Sequence, residues 1–112
     1  MGNYSSAAIV VLMTAPNREE AGRIAEMLVD GGLAACVQIL PEIESVYRWK
    51  GETQHEQEVL LLAKTTRARF DDLASRVNAM HSYETPEIIA VPITDAPEAY
   101  LKWLVGSLSE GS

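Results

Sequence analysis

Two unbroken apolar runs, two capped amphipathic stretches and a long extended hairpin follow one another along the chain. Their order, strand–helix–strand–strand–helix–strand, predicts an α+β, ferredoxin-like β-α-β-β-α-β sandwich with a short C-terminal helix. The sheet of such a fold runs 4-1-3-2. The strands with continuous apolar runs, Ala8 to Met13 and Val59 to Ala63, then fall in the middle. Those interrupted by Pro41 and Pro92 fall at the edges, where a missing N–H does least harm. The 112 residues read as a single domain over 1–112, with residues 1–7 and 109–112 expected to be flexible.

Each element has a local cause. The run A-I-V-V-L-M at 8–13 is rich in β-branched residues, as in a strand buried on both faces. Asn17 and Glu20 form an N-x-x-E capping box, and Ala21, Ile24, Ala25, Leu28 and Val29 share one helical face. A helix is therefore expected over 17–30, ended by Gly31-Gly32. Ala34 to Lys50 and the run up to Lys64 read as a long hairpin turning at Gly51, with an edge position or bulge at Pro41. A second helix is expected from about Thr66 to Met80, burying Phe70, Leu73, Ala74, Val77 and Met80. Glu87 to Thr94 read as the last core strand. Asp95-Ala96-Pro97-Glu98 read as a second capping box, opening a third helix with Tyr100, Leu101, Leu104 and Leu108 on its apolar side.

One pattern does not suit a lone chain. Both long helices of this fold cover the same sheet face, so the other face should alternate toward polar residues. Strands one, three and four do not alternate in this way, and a short third helix can hide only part of them. Long exposed strand edges also invite pairing with another chain. Self-association is the simplest answer.

Composition narrows the partners. A net charge of −7 opposes binding to phosphate backbones, so nucleic acid is not expected. No apolar stretch approaches the roughly 18 residues of a membrane span. The first six residues lack the pattern of a secretory signal, and a lone cysteine, Cys36, suits the reducing cytoplasm. That thiol, between Ala35 and Val37, reads as buried and inert.

Chemistry is sparse. Nucleophile elbows, Walker loops, H-E-x-x-H and C-x-x-C pairs are absent, and no enzyme is expected. The segment from Met80 to Glu87 is the densest in functional groups. It places an imidazole, a hydroxyl, a phenol and two carboxylates in a helix-to-strand loop. Met80 reads either as core packing or as a soft-metal ligand. Tyr47 and Trp49, two apart on strand two, point to one face and read either as a ligand pocket or as an oligomer interface.

Six ordered segments carry a resemblance: V-V-L-M-T-A-P at 10–16, L-A-A-C-V-Q-I at 33–39, S-V-Y-R-W-K-G at 45–51, E-V-L-L-L-A-K-T at 58–65, H-S-Y-E-T-P-E-I at 81–88 and Y-L-K-W-L at 100–104. From about Ala8 to Leu108 the chain resembles the CutA family of divalent-cation-tolerance proteins. The resemblance implies a ferredoxin-like fold, a cytoplasmic homotrimer of PII-like architecture, and tolerance of divalent metals, copper especially, through metal binding without catalysis. No metal is needed for folding on this reading. Where copper-linked members can carry a thiol and a second histidine, this chain has Met13 and Met80. The implied ligand set is thus His81, Met13 and Met80, an imidazole and two thioethers suited to Cu(I) over Zn(II). The PII-like architecture also implies an alternative. This is a small-molecule sensor signalling through protein partners, with an inter-subunit pocket of Tyr47, Trp49, Lys64, Tyr83 and Glu87.

Overall fold

The computed structural model describes residues 7–108 as seven elements. They are β1 (Ala8–Ala15), α1 (Arg18–Asp30), β2 (Cys36–Trp49), β3 (Glu52–Thr66), α2 (Arg67–Met80), β4 (Ile88–Pro92) and α3 (Glu98–Gly106). The sheet is antiparallel in the order β2-β3-β1-β4, the expected 4-1-3-2 arrangement read from its other edge. Of the ends expected to be flexible, 1–6 and 109–112 lie outside the described residues. Ala7 is held in place, its carbonyl accepting the Arg67 N–H at 3.0 Å.

Alternation along β1 decides what the core is. Ile9, Val11, Met13 and Ala15 turn toward the helices and pack with Ile24, Leu28, Leu73 and Val77 in one buried cluster. Val59, Leu61 and Ala63 do the same on β3. The intervening Val10, Leu12, Leu60 and Leu62 are only half-buried. The central strands are therefore not buried on both faces within one chain. The second face has little to cover it.

Asn17 caps α1 as its sequence predicts, its Oδ1 accepting the Glu20 N–H at 2.8 Å. The reciprocal half of the box is not made, because the Glu20 carboxylate is engaged elsewhere. Asn17→Ala is expected to cost about 1 kcal/mol in urea unfolding, an ordinary value for losing a helix N-cap. At the other end Gly32 takes φ 71, and the Leu33 and Ala34 N–H groups fold back onto the Leu28 carbonyl at 2.9 and 3.2 Å.

The β2–β3 hairpin turns through Lys50 (φ 52) and Gly51 (φ 81), two successive left-handed residues that match the right-handed strand twist. Pro41 lies in a register slip between Leu40 and Ile43. That bulge reverses the parity of β2. Before it, Gln38 and Leu40 oppose Leu62 and Leu60; after it, Ile43, Ser45, Tyr47 and Trp49 oppose Glu58, Glu56, Gln54 and Glu52. Tyr47 and Trp49 thus share the face of Leu60 and Leu62, away from α1 and α2.

Three further expectations about the elements need correction. Met80 is 37% exposed, and the core stripe of α2 holds Leu73 and Val77 as its buried residues. The chain turns extended at His81, and that ring rather than Met80 fills the space below the last turn. Asp95 does not cap α3: the N-cap is Pro97, without a side-chain bond, and Asp95 instead accepts from the Thr94 hydroxyl at 3.3 Å. Finally β4 spans only Ile88–Pro92 and is no core strand, since Ile89 and Val91 are 52% and 46% exposed.

Helix α3 sits on the face opposite α1 and α2. Its Leu104 is buried against Ala8 and Ala35, with Ile93, Leu101 and Leu108 alongside. Ala8 alternates with Ile9, so it must point away from the main core. Cover stops there. Val10, Leu12, Leu60, Leu62, Ile89 and Val91 remain as a continuous apolar patch, because register places Val91 beside Val10, and Ile89 and Leu62 on either side of Leu12.

Candidate functional site

The loop between α2 and β4 carries a chain of hydrogen bonds that ties it to α1, β1 and β3. His81 ends α2 with extended dihedrals, its N–H reaching the Val77 carbonyl at 2.9 Å. Its ring is wholly enclosed (0% exposed) at the end of β1. Nε2 lies 2.8 Å from the Thr14 carbonyl, which can only accept, so Nε2 carries the proton. Nδ1 accepts the Tyr83 N–H at 3.0 Å. Nδ1 also lies 3.4 Å from Glu20 Oε2.

Glu20 lies on the buried stripe of α1, four residues before Ile24, and its side chain is 7% exposed. Burial works to raise its pKa. The Ser82 N–H at 2.8 Å and the Ser82 side chain outweigh that, with His81 and Arg23 nearby, and the carboxyl is held below its ordinary value. A depressed carboxyl adds stability above its unfolded pKa and loses it as pH falls through the lower, folded one. Melting curves between pH 7 and pH 3 should therefore show the wild type losing more Tm on acidification than Glu20→Gln. Parallel losses would mean Glu20 is not linked to folding.

Tyr83 extends the loop to the hairpin. Its ring lies 4.7 Å from that of His81, and its hydroxyl donates to Glu58 Oε2 at 2.8 Å. Ser45 donates to the other Glu58 oxygen at 2.6 Å. Burial, the bond to Glu58 and the charges of Glu58 and Glu56 push the Tyr83 phenol far above its usual range. Tyr47 is pushed up too, by desolvation and the same two carboxylates. Neither phenol can serve as a base near neutral pH. The bonds form a fixed network without a nucleophile–base pair.

The residues predicted from sequence part company here. Tyr47 and Tyr83 share the surroundings of Glu56 and Glu58. Trp49 stands 60% exposed at the hairpin end, with Lys50 Nζ 6.0 Å above its ring. Glu87 is exposed just before β4. Lys64 opposes Cys36, whereas Tyr47 opposes Gln54, so Lys64 and Tyr47 are about 33 Å apart along β3 at ~3.3 Å per residue. Lys64 donates to Gln38 and approaches Cys36 Sγ at 3.9 Å. That thiol is half-buried rather than enclosed. The five residues therefore do not line one pocket within a chain.

The proposed copper donors do not fit an open centre either. Met13 is sealed in the core, Met80 faces solvent, and both His81 nitrogens are already hydrogen-bonded. Among the described residues no group of three or more His, Cys, Asp or Glu side chains could hold a metal ion. Sequence reasoning missed Glu20, Ser45 and Glu58. Glu20 left a signal, a charge on an apolar stripe. Ser45 left none, because the bulge sets its face.

Comparison with known proteins agrees with this framework. A family profile described as CutA1 divalent ion tolerance protein matches residues 9–107. The divalent-cation tolerance protein CutA of Thermus thermophilus is 52% identical over 95 residues, covering 85% of this chain and 92% of that one. The chloroplastic protein CutA of Arabidopsis thaliana is 48% identical over 100 residues, covering 89% of this chain, which spans only 55% of that relative's length. Among solved structures, CutA1 from Oryza sativa superposes with a TM-score of 0.92 at 43% identity, covering 97% of this chain and all (100%) of that one. The Thermus thermophilus structure gives a TM-score of 0.89 at 48% identity over 91% of this chain and 99% of that one.

Proposed function

The chain belongs to the CutA1 divalent ion tolerance family, and from that premise we propose that it acts as a non-enzymatic homotrimer that moderates divalent cations, copper among them, in the cytoplasm. The observation that carries this reading is the apolar patch of Val10, Leu12, Leu60, Leu62, Ile89 and Val91. Exposed aliphatic surface of this extent, continued by Tyr47 and Trp49 along the hairpin, suits contact with further copies. A sheet with free edges at β2 and β4 can be closed by head-to-tail contacts into a ring.

Cations then meet a strongly acidic particle. Each chain carries −7, and its hairpin alone exposes Glu42, Glu44, Glu52 and Glu56. Such carboxylates gather divalent ions electrostatically without a fixed ligand cage. Equilibrium dialysis with Cu(II) and Zn(II) tests this. Weak, multiple and salt-sensitive uptake is expected, since screening at high ionic strength removes attraction between exposed charges. A single tight, salt-insensitive site per chain would contradict it. A small-molecule sensor would instead need neighbouring subunits to bring Lys64 of one chain to Tyr47 and Tyr83 of another. Mass increments on adding nucleotides to the native assembly would mark that alternative.

A further inference from the structure

We propose that His55, oriented by Glu44, is the inner-sphere donor through which the chain takes up Cu(II), on the hairpin face that points away from Tyr47 and Trp49. The inference deepens the cation-handling reading above and rests on it.

Imidazole is in short supply in this molecule. The chain has two histidines, and the ring of His81 is enclosed with both nitrogens hydrogen-bonded. His55 is the one left for coordination, its side chain 62% exposed. It opposes Val46 on β2, whereas Tyr47 opposes Gln54. Side chains alternate across a two-stranded ribbon, so His55 and the two aromatics lie on opposite faces of the hairpin. Contact between copies through Tyr47 and Trp49 therefore leaves this imidazole in water.

The ring is already posed. Glu44 and Arg48 flank Val46 on β2 and are the diagonal neighbours of His55. Nδ1 lies 3.0 Å from Glu44 Oε2. A carboxylate can only accept, so the proton of this bond sits on Nδ1. Nε2 has no partner among the described residues and is the nitrogen open to a metal. A carboxylate behind the far nitrogen fixes the tautomer and raises the basicity of the ligating one, as it does behind most metal-bound histidines. Arg48 is turned aside, toward the Gly51 carbonyl at 3.5 Å.

The donor set decides both metal and strength. Among the described residues no three His, Cys, Asp or Glu side chains converge, so water completes the coordination sphere and binding stays weak. Nitrogen donors favour Cu(II) over Zn(II) in the Irving–Williams order. The exposed carboxylates of Glu42, Glu44, Glu52 and Glu56 raise the cation concentration around the ring.

Equilibrium dialysis with Cu(II) at about 1 M salt, where the Debye length is roughly 3 Å, removes the carboxylate atmosphere and leaves inner-sphere binding. Pulsed electron paramagnetic resonance on the same samples detects the far nitrogen of a Cu(II)-bound imidazole. The wild-type protein should keep a weak residual uptake of Cu(II), several-fold above that of Zn(II), with the imidazole signal present. His55→Gln should lose that signal and roughly tenfold or more in residual affinity, while Glu44→Gln keeps the signal and loses affinity several-fold. An imidazole signal or a salt-resistant uptake that survives unchanged in His55→Gln overturns the proposal. The electrostatic reading would still stand in that case if low-salt uptake remains weak and salt-sensitive. Absence of Cu(II) uptake by the wild type at low and high salt overturns both.

Discussion

Replacing His81 by alanine is expected to lower stability by about 3 kcal/mol, while uptake of copper or zinc stays within about twofold of wild type. The imidazole is fully enclosed and uses both nitrogens, one donating to Thr14 O and one accepting from Tyr83 N. Alanine orphans a buried carbonyl and an N–H and leaves a hole beside Glu20. Each lost bond is worth about 1 kcal/mol, and the vacated volume adds to the cost. Urea unfolding beside equilibrium dialysis separates the two roles. A stability loss below 1 kcal/mol together with a tenfold drop in affinity would make His81 a ligand and not a structural pin.

The second large effect lies on the open sheet face. Leu62 sits between Leu12 and Gln38 in the register and is half-buried in the single chain. Leu62→Glu should yield a folded monomer. The new carboxylate is solvated when the chain is alone but would be desolvated, beside its symmetry mates, in a trimer, at a cost of several kcal/mol. Leu61 provides the control. It points to the helix side and is fully buried, so Leu61→Glu should prevent folding altogether. Circular dichroism with light scattering distinguishes these results. A folded Leu62→Glu trimer would remove this face from the interface.

What the sequence made legible was what local rules govern. Asn17 and Gly32 bound α1, Gly51 turns the hairpin, and Pro41 and Pro92 lie on edge strands. Continuous apolar runs identified the two central strands. They could not tell a face buried by helices from one left open in the single chain, because Leu61 and Leu62 look alike in sequence. The site was harder to read. His81 and Tyr83 drew attention by density of functional groups, but their partners lie 67 residues away at Thr14 and 25 away at Glu58. A capping box also hid the role of Glu20, since the same residue satisfies the motif and abandons it for Ser82. Asp95 shows the reverse failure: the motif is present and Pro97 takes the cap position instead.

Sedimentation equilibrium of the wild-type protein at micromolar concentration bears most directly on the proposed assembly. The chain mass is 12.3 kDa, so a single species of about 37 kDa, unchanged on dilution through the low micromolar range, is the predicted result. A folded species at the chain mass would contradict it, because the patch around Leu12, Leu62 and Ile89 would then face water in the working protein.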